Sequence, residues 1–168
     1  MKYTSSEVAK ILRRLNEEHD TLIGQENLGS TFLVASGEDV ESLRPEYDYA
    51  QMQQALKENE AKVRRIKHAL NVFNSTHKLP GYDITVDEAL VLIPQLSARK
   101  ARLGSMRSNL PKTRERGMHT GGNIIDYRLT NYDPKDAQRD FDETSAELAA
   151  IQTALDLFNT TEKLEIEL

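Results

Sequence analysis

The sequence predicts an all-α protein, an antiparallel four-helix bundle built from two copies of a helix-loop-helix unit. Three observations favour this fold. A stretch of 33 positions from Tyr47 recurs 85 residues later with 13 identities, the stretch has helical apolar spacing, and a helix start signal precedes each copy. The identical pairs are Tyr47/Tyr132, Asp48/Asp133, Gln53/Gln138, Glu58/Glu143, Ala61/Ala146, Ile66/Ile151, Ala69/Ala154, Leu70/Leu155, Phe73/Phe158, Asn74/Asn159, Thr76/Thr161, Lys78/Lys163 and Leu79/Leu164.

The first helix is predicted to begin at Thr4, because Thr4 and Glu7 have the spacing of a capping box, in which each side chain bonds the backbone N–H of the other residue. We expect it to end near Gly24. The pattern returns 81 residues later with a second capping box at Thr85 and Glu88. The apolar stripe of the first helix is Val8, Leu12, Leu15, His19 and Leu22, and that of its copy is Ala89, Ile93, Leu96, Lys100 and Leu103.

The two long helices carry the repeated stretch, and each has a heptad seam in which the seam residues step by four and three positions. A 3.5-residue repeat sustained over about three heptads is typical of antiparallel bundles and coiled coils. We therefore expect both seams to face the core. The first seam is Met52, Leu56, Asn59, Val63, Ile66, Leu70 and Phe73, and the second is Ala137, Phe141, Thr144, Leu148, Ile151, Leu155 and Phe158.

Each unit contains a long inner loop, residues 25–46 in the first and 109–133 in the second. Loops of this length in compact domains are usually functional or disordered. Each contains a β-like run, at residues 31–35 and 123–129, so we predict a small β-ribbon formed from the two long inner loops. The whole chain, 1–168, is predicted to be one domain, with repeats at 4–79 and 85–164.

Each of the four apolar series contains one polar member. Antiparallel pairing would place these four residues at similar heights, so we predict a polar layer across the bundle that fixes the register of the helices. A second irregularity is Pro94, which removes one helical hydrogen bond and is expected to kink its helix. The predicted layer consists of His19, Asn59, Lys100 and Thr144.

Four segments carry a resemblance to a known family. They are Arg65-Ile66 through Asn74 and Thr76, the run Ile84-Thr85-Val86-Asp87-Glu88-Ala89-Leu90, an Arg-rich loop, and Ile151-Gln152 with Phe158-Asn159-Thr160-Thr161. In these segments the sequence resembles the septicolysin-like family, which consists of small helical bacterial proteins. The resemblance implies a helical fold and supplies no catalytic residues. The family often has a tryptophan near the end of the last helix, where this chain has Phe158.

Composition and charge exclude several classes of protein. The net charge of −5 argues against a dedicated nucleic-acid binder, and the absence of cysteine excludes disulfides, thiolate nucleophiles and sulfur-ligated metals. No run of 18 apolar residues predicts a transmembrane segment, and the N-terminal residues lack the apolar core of a secretion signal. We therefore expect a soluble, cytoplasmic protein.

The sequence contains none of the common catalytic motifs, such as GxGxxG, GxxxxGK[ST], HExxH or GxSxG. His68 and His77 are nine residues apart on a predicted helix and therefore face opposite sides, so they are poor co-ligands for a metal. His19 lies in an apolar stripe, where a hydrogen-bonded core histidine is the simpler interpretation. We predict no catalytic residue, no metal site and no cofactor.

Residues 99–128 form an Arg-rich segment, with eight basic residues against two acidic ones and hence a net charge of +6 in an acidic chain. A guanidinium group can hold a carboxylate or a phosphate through two parallel hydrogen bonds. The segment is therefore predicted to line an anion-accepting surface. Its occupant is either an acidic region of a partner subunit or a phosphorylated ligand. The predicted site residues are Arg107, Arg114, Arg116, His119 and Arg128.

We expect a non-enzymatic helical bundle that forms a homo-oligomer and acts through its loop-bearing, Arg-rich end. One alternative is a binder, or a hydrolase, of a phosphorylated small molecule or nucleotide at residues 107–128. Another follows from the family name, which implies a membrane-active, cytolysin-like protein. The plainest interpretation of the Arg-rich segment is that its arginines pair with acidic helices of the same or a neighbouring subunit.

Overall fold

A computed structural model describes residues 1–115 and 126–166 of the protein. These residues are mostly helical (69%) and form five helices and two small antiparallel sheets. The helices are α1 (Ser5–Gly29), α2 (Val40–Leu43), α3 (Tyr49–Thr76), α4 (Val86–Arg107) and α5 (Pro134–Thr161), and the strands are β1 (Lys2–Thr4), β2 (Lys112–Arg114), β3 (Tyr127–Leu129) and β4 (Lys163–Glu165). The predicted helical class is confirmed at this level, and the four-helix bundle stays a prediction.

The chain divides into two compact units, each containing one helical hairpin. Unit 1 consists of Met1–Thr76 and Phe158–Leu168, and it contains α1, α2, α3, the end of α5 and the sheet β1-β4. Unit 2 consists of His77–Leu157, and it contains α4, most of α5 and the sheet β2-β3. In unit 1 the hairpin is α1 with α3, and in unit 2 it is α4 with α5.

Both predicted capping boxes are present. The hydroxyl of Thr4 accepts a hydrogen bond from the backbone N–H of Glu7 at 3.2 Å, and the Glu7 carboxylate accepts one from the backbone N–H of Thr4 at 2.8 Å. Thr85 and Glu88 make the same pair of bonds at 3.2 and 2.6 Å. Because these bonds favour the ionised carboxylate, they lower the pKa of Glu7 and of Glu88.

One local prediction about helix continuity is tested by α1. The prediction that α1 ends near Gly24 is wrong, since α1 continues to Gly29. Gly24 lacks the positive φ that a glycine uses to end a helix, and it therefore serves as an ordinary helical residue. Helix α4 contains Pro94 and continues on both sides of it, and the kink there stays a prediction.

Most residues of the two heptad seams are buried, as predicted, while Met52, Val63, Leu70 and Phe141 are half-buried. In α3 the exposed fraction is 7% for Leu56 and 0% for Ile66, and in α5 it is 1% for the equivalent Ile151. The rings of Phe73 and Phe158, which are equivalent residues of the repeat, lie with their centroids 5.4 Å apart. The buried seam residues of α5 are Ala137, Thr144, Leu148, Ile151, Leu155 and Phe158.

The threonine of each capping box also pairs with the segment that follows a long helix. In unit 1, β1 and β4 are antiparallel and place Thr4 opposite Lys163. In unit 2, a single β-bridge places Thr85 opposite Lys78. Lys78 and Lys163 are equivalent in the repeat, so both pairings join the same two positions. Neither pairing was predicted from the sequence, and that of Thr4 with Lys163 joins distant parts of the chain.

The β-ribbon differs from the prediction. Strands β2 and β3 both belong to the second inner loop, so the ribbon does not combine the two loops. In the first loop, residues 31–35 form no strand, and Ala35 bonds within the loop. The Glu38 carboxylate accepts from the N–H of Ala35 at 3.0 Å, Gly37 turns the chain at a φ of +97°, and Asp39 caps α2. Of the second predicted run, 123–129, residues 123–125 lie outside the described part of the chain.

The predicted polar residues occupy defined positions within their own units. Asn59 is buried, and its amide donates to the backbone oxygen of Leu15 at 3.0 Å. Thr144 is also buried, while His19 and Lys100 are half-buried. The polar layer across all four helices stays a prediction. Within each unit, one fully buried polar residue interrupts the seam of the long helix.

The second capping box gives a stability prediction. Replacing Thr85 by alanine removes the acceptor for the Glu88 N–H, and we expect the free energy of unfolding to fall by about 1 kcal/mol. Thr85→Ser keeps a capping hydroxyl and is the matched control, which should stay close to the wild type. Urea denaturation followed by circular dichroism measures both. Equal stabilities for Thr85→Ala and the wild type would show that the cap contributes nothing.

Candidate functional site

The second inner loop forms a two-stranded ribbon in unit 2. Its strands pair Lys112 with Leu129, Thr113 with Arg128, and Arg114 with Tyr127. The N–H of Glu115 extends the ladder by donating to the backbone oxygen of Asp126 at 2.9 Å. All six residues of β2 and β3 are exposed. The ribbon thus holds charged and apolar side chains in solvent on a hydrogen-bonded backbone.

One side of the ribbon combines basic and apolar groups. Because side chains alternate along a strand, Lys112, Arg114, Tyr127 and Leu129 share one side, which we call the basic ribbon face. The ammonium group of Lys112 lies 4.0 Å from the centre of the Tyr127 ring. Tyr127 and Leu129 are 49% and 65% exposed. This face therefore offers positive charge around two accessible apolar side chains.

Arg128 lies on the opposite side of the ribbon from Arg114. Its guanidinium donates to the carboxylate of Glu115, and this hydrogen bond and the attraction of the negative charge raise the pKa of Arg128. The bond is made within the loop itself. The ribbon thus separates two of the predicted anion-binding arginines and engages one of them with an internal carboxylate.

Arg107 is the last residue of α4, and α5 holds its side chain. Its guanidinium carbon lies 3.8 Å from the centre of the Phe141 ring, and its Nη1 donates to the side-chain oxygen of Gln138 at 3.1 Å. Stacking of this kind is a cation–π interaction. Close packing of α4 on α5 continues at Gly104, where an added Cβ would lie 3.4 Å from the Phe141 ring.

The five predicted site residues therefore have different placements. Arg107 stacks on α5, Arg114 is on the basic ribbon face, and Arg128 is on the other side of the ribbon. Arg116 and His119 lie outside the described residues. The three that are described do not converge on one point, and an anion site made by all five stays a prediction.

The first inner loop has the opposite charge. Arg44, its one basic residue between 30 and 48, forms a fork of two bonds with Glu41, at 2.9 and 2.7 Å. The fork lowers the pKa of Glu41 and raises that of Arg44. The remaining acidic residues, which we call the acidic loop, are exposed. They are Glu38, Asp39, Glu46 and Asp48.

Apolar side chains accompany the acidic loop. Leu33 is 99% exposed, and Val40 and Leu43 of α2 are 45% and 46% exposed. Beside the loop, a cavity of about 540 Å³ opens between the end of α1 and the start of α3. Its apolar lining is Leu22, Leu28, Pro45, Met52 and Ala55, and its polar lining includes Gln25, Glu46, Asp48 and Gln51.

Tyr47 forms one wall of this cavity and closes the loop. Its ring packs against Gly29, where an added Cβ would lie 3.0 Å from the ring, and its hydroxyl donates to the Glu26 carboxylate at 3.3 Å. Partial burial and that carboxylate raise the pKa of Tyr47. The amide of Gln53 donates to the same carboxylate at 2.6 Å.

The repeated Tyr-Asp pair was visible in the sequence, but its role was missed. Tyr132, the equivalent of Tyr47, donates to the backbone oxygen of Met106 at 2.8 Å and so also contacts the end of the preceding helix. The following aspartates bond backbone N–H groups at the start of the next helix, Asp48 with Gln51 at 3.0 Å and Asp133 with Lys135 at 2.9 Å. The pair therefore closes each hairpin at its loop end.

Two further properties bear on function. No group of three or more histidine, aspartate or glutamate side chains in residues 1–115 and 126–166 is placed to hold a metal ion. Across the same residues, no helix combines the length and the apolar character needed to cross a membrane.

Comparisons with known proteins bear on the fold alone. No family model matches the chain, and no curated protein matches it. The structure is similar to a crystal structure described as a functionally unknown conserved protein from Corynebacterium diphtheriae, with a TM-score of 0.63 and 12% sequence identity. The match covers 98% of this chain and 100% of the other. The septicolysin-like resemblance stays a prediction.

The stacking of Arg107 on Phe141 predicts a measurable interaction energy between the two side chains. We expect a double-mutant cycle of Arg107→Met and Phe141→Leu to give an interaction energy of about 0.5–1 kcal/mol, as for an exposed cation–π pair. Urea denaturation of the wild type, both single variants and the double variant measures it. Additive effects of the two substitutions would mean that Arg107 is not held by Phe141 in solution.

Proposed function

We propose that this protein is a non-enzymatic binding protein that self-associates through the loop ends of its helical hairpins. The observation that carries the proposal is where apolar surface is exposed. Among the described residues, eight of the 13 exposed large apolar side chains lie in two short stretches, residues 28–49 and 110–129. Contiguous exposed apolar groups with a polar rim are typical of protein–protein interfaces.

Charge complementarity supports a second copy of the same chain as the partner. The acidic loop presents four carboxylates, whereas the basic ribbon face presents Lys112 and Arg114. Each also presents exposed apolar groups, such as Leu33 beside the acidic loop and Tyr127 on the ribbon. Opposite charges around apolar contacts favour one orientation of association and speed the encounter. In a dimer, the acidic loop of each copy meets the basic ribbon face of the other.

The cavity beside the acidic loop supports the same partner. Interface energy is often concentrated in an aromatic side chain that enters a pocket. The cavity of about 540 Å³ has an apolar lining and an acidic rim, and Tyr127 of a second copy is an aromatic residue flanked by basic groups. The pairing thus matches polarity and charge at one place.

The proposal keeps two finer expectations from the sequence. The scaffold is the predicted four-helix bundle, with the seams of the long helices as its core. The compartment is the cytoplasm, where a chain without cysteine needs no oxidising environment.

Charge reversal tests the proposed association. We expect Lys112→Glu with Arg114→Glu, and separately Glu38→Lys with Glu46→Lys, each to shift the wild-type oligomer towards monomer in sedimentation equilibrium. Asp39 and Asp48 are left intact because they bond backbone N–H groups at helix starts, and far-UV circular dichroism checks that losing the bond of Glu38 to Ala35 leaves the helices intact. Mixing the two double variants should restore a heteromeric complex, since each then supplies the surface that the other needs.

Lys57→Glu with Lys62→Glu is the matched control, because both lysines are exposed on α3 outside these loops and the change in net charge equals that of the ribbon variant. It should sediment like the wild type. A monomeric wild type at high micromolar concentration would contradict self-association. An oligomer that survives both loop variants would contradict the assigned surfaces.

A further inference from the structure

Unit 1 contains a second cavity, which the proposed association does not use. It is a groove of about 590 Å³ between α1 and the middle of α3. Most of its lining side chains are exposed, so it opens to solvent, and Val63 and Asn59 form its less exposed floor. The volume lies in the range of small-molecule sites. Its lining residues are Asn16, His19, Asn59, Glu60, Val63, Arg64, Lys67, His68 and Asn71.

One wall of the groove carries three groups that can bind an anion. Arg64, Lys67 and His68 are spaced i, i+3 and i+4 on α3, so their side chains are neighbours on one helical face. Within the described part of the chain, Arg64 and Lys67 have no carboxylate within ion-pair distance. These donors are therefore available to a ligand from solvent.

The rest of the lining is polar and partly unsatisfied. On the other wall, Nε2 of His19 lies 3.7 Å from the Glu60 carboxylate, which is the one acidic group in the lining. Asn59 is 4% exposed, and its side-chain oxygen has no hydrogen-bond partner in the structure. That oxygen is itself out of contact with solvent, so the amide groups of the lining that a ligand can reach are those of the exposed Asn16 and Asn71.

The repeat supplies an internal comparison. Eighty-five residues after Arg64, Lys67, His68 and Asn71, the chain has Ala149, Gln152, Thr153 and Asp156. Core positions are kept across the same interval, since Ile66, Ala69, Leu70 and Phe73 recur unchanged. The basic residues are therefore not required for helix packing. They occur in the first repeat and not in the second.

We propose that this groove binds a small hydroxyl-bearing molecule through its phosphate ester. The phosphate is held by Arg64, Lys67 and His68, and the hydroxyl groups lie towards the amides of Asn16 and Asn71. Charge-assisted bonds from a guanidinium and an ammonium group supply most of the affinity. The amide groups of Asn16 and Asn71 favour a ligand whose remaining part is polar.

Titration calorimetry with ribose 5-phosphate at constant ionic strength tests the proposal, with ribose and inorganic phosphate as separate probes. Wild type should bind ribose 5-phosphate saturably, inorganic phosphate more weakly, and ribose not at all. Arg64→Gln with Lys67→Gln should weaken ribose 5-phosphate binding by about tenfold or more, because two charge-assisted contacts are lost. Lys57→Gln with Lys62→Gln makes the same change in charge elsewhere on α3 and should leave the affinity unchanged.

Two results would overturn the site. One is the absence of saturation by ribose 5-phosphate below about 10 mM, which is weaker than a specific site would give. The other is equal weakening by the two double variants, which would show that general positive charge attracts the phosphate. If inorganic phosphate binds as tightly as ribose 5-phosphate, the hydroxyl groups contribute nothing to the affinity. The proposed contact with a hydroxyl-bearing molecule is then wrong. The substituted side chains are exposed, and far-UV circular dichroism verifies folding.

Discussion

The pairing of each capping threonine with the lysine that follows a long helix is the constraint on which the rest of the structure depends. Thr4 starts α1 and pairs with Lys163, and Thr85 starts α4 and bridges to Lys78. Each pairing therefore joins the start of one helix to the segment that follows a long helix. The leucine after each lysine is buried as a result, since Leu79 is 1% and Leu164 is 5% exposed.

Local signals made much of the fold predictable. The capping boxes and heptad seams depend on residues within a few turns, and both occur where the sequence places them. The features that were missed depend on distant residues, on bonds inside a loop or on a backbone angle. The sequence could not show that β1 meets β4, or that residues 31–35 would bond within their own loop, and Gly24 has the residue type of a helix end without the conformation.

The candidate site could likewise be predicted only in part. A count of charges located the Arg-rich segment, but it could not show that Arg107 would stack on Phe141 or that Arg114 and Arg128 would lie on opposite sides of a ribbon. The acidic loop was missed because acidic residues are frequent throughout the chain. Two structural observations distinguish the acidic loop. Arg44 is bonded to Glu41, and the apolar side chains around the loop are exposed. Exposure, which a sequence does not give, therefore carries the proposed association.

Self-association is the central claim, and native mass spectrometry of the protein taken directly from cells tests it most directly. The spectrum reports the mass of the assembly together with any small molecule that stays bound. We expect a main species at twice the chain mass of 19.1 kDa or at a higher multiple. Because the proposed contacts combine charge with apolar surface, the assembly should dissociate partly as the salt concentration of the solution rises. A spectrum containing only the 19.1 kDa chain at high micromolar concentration would contradict the account.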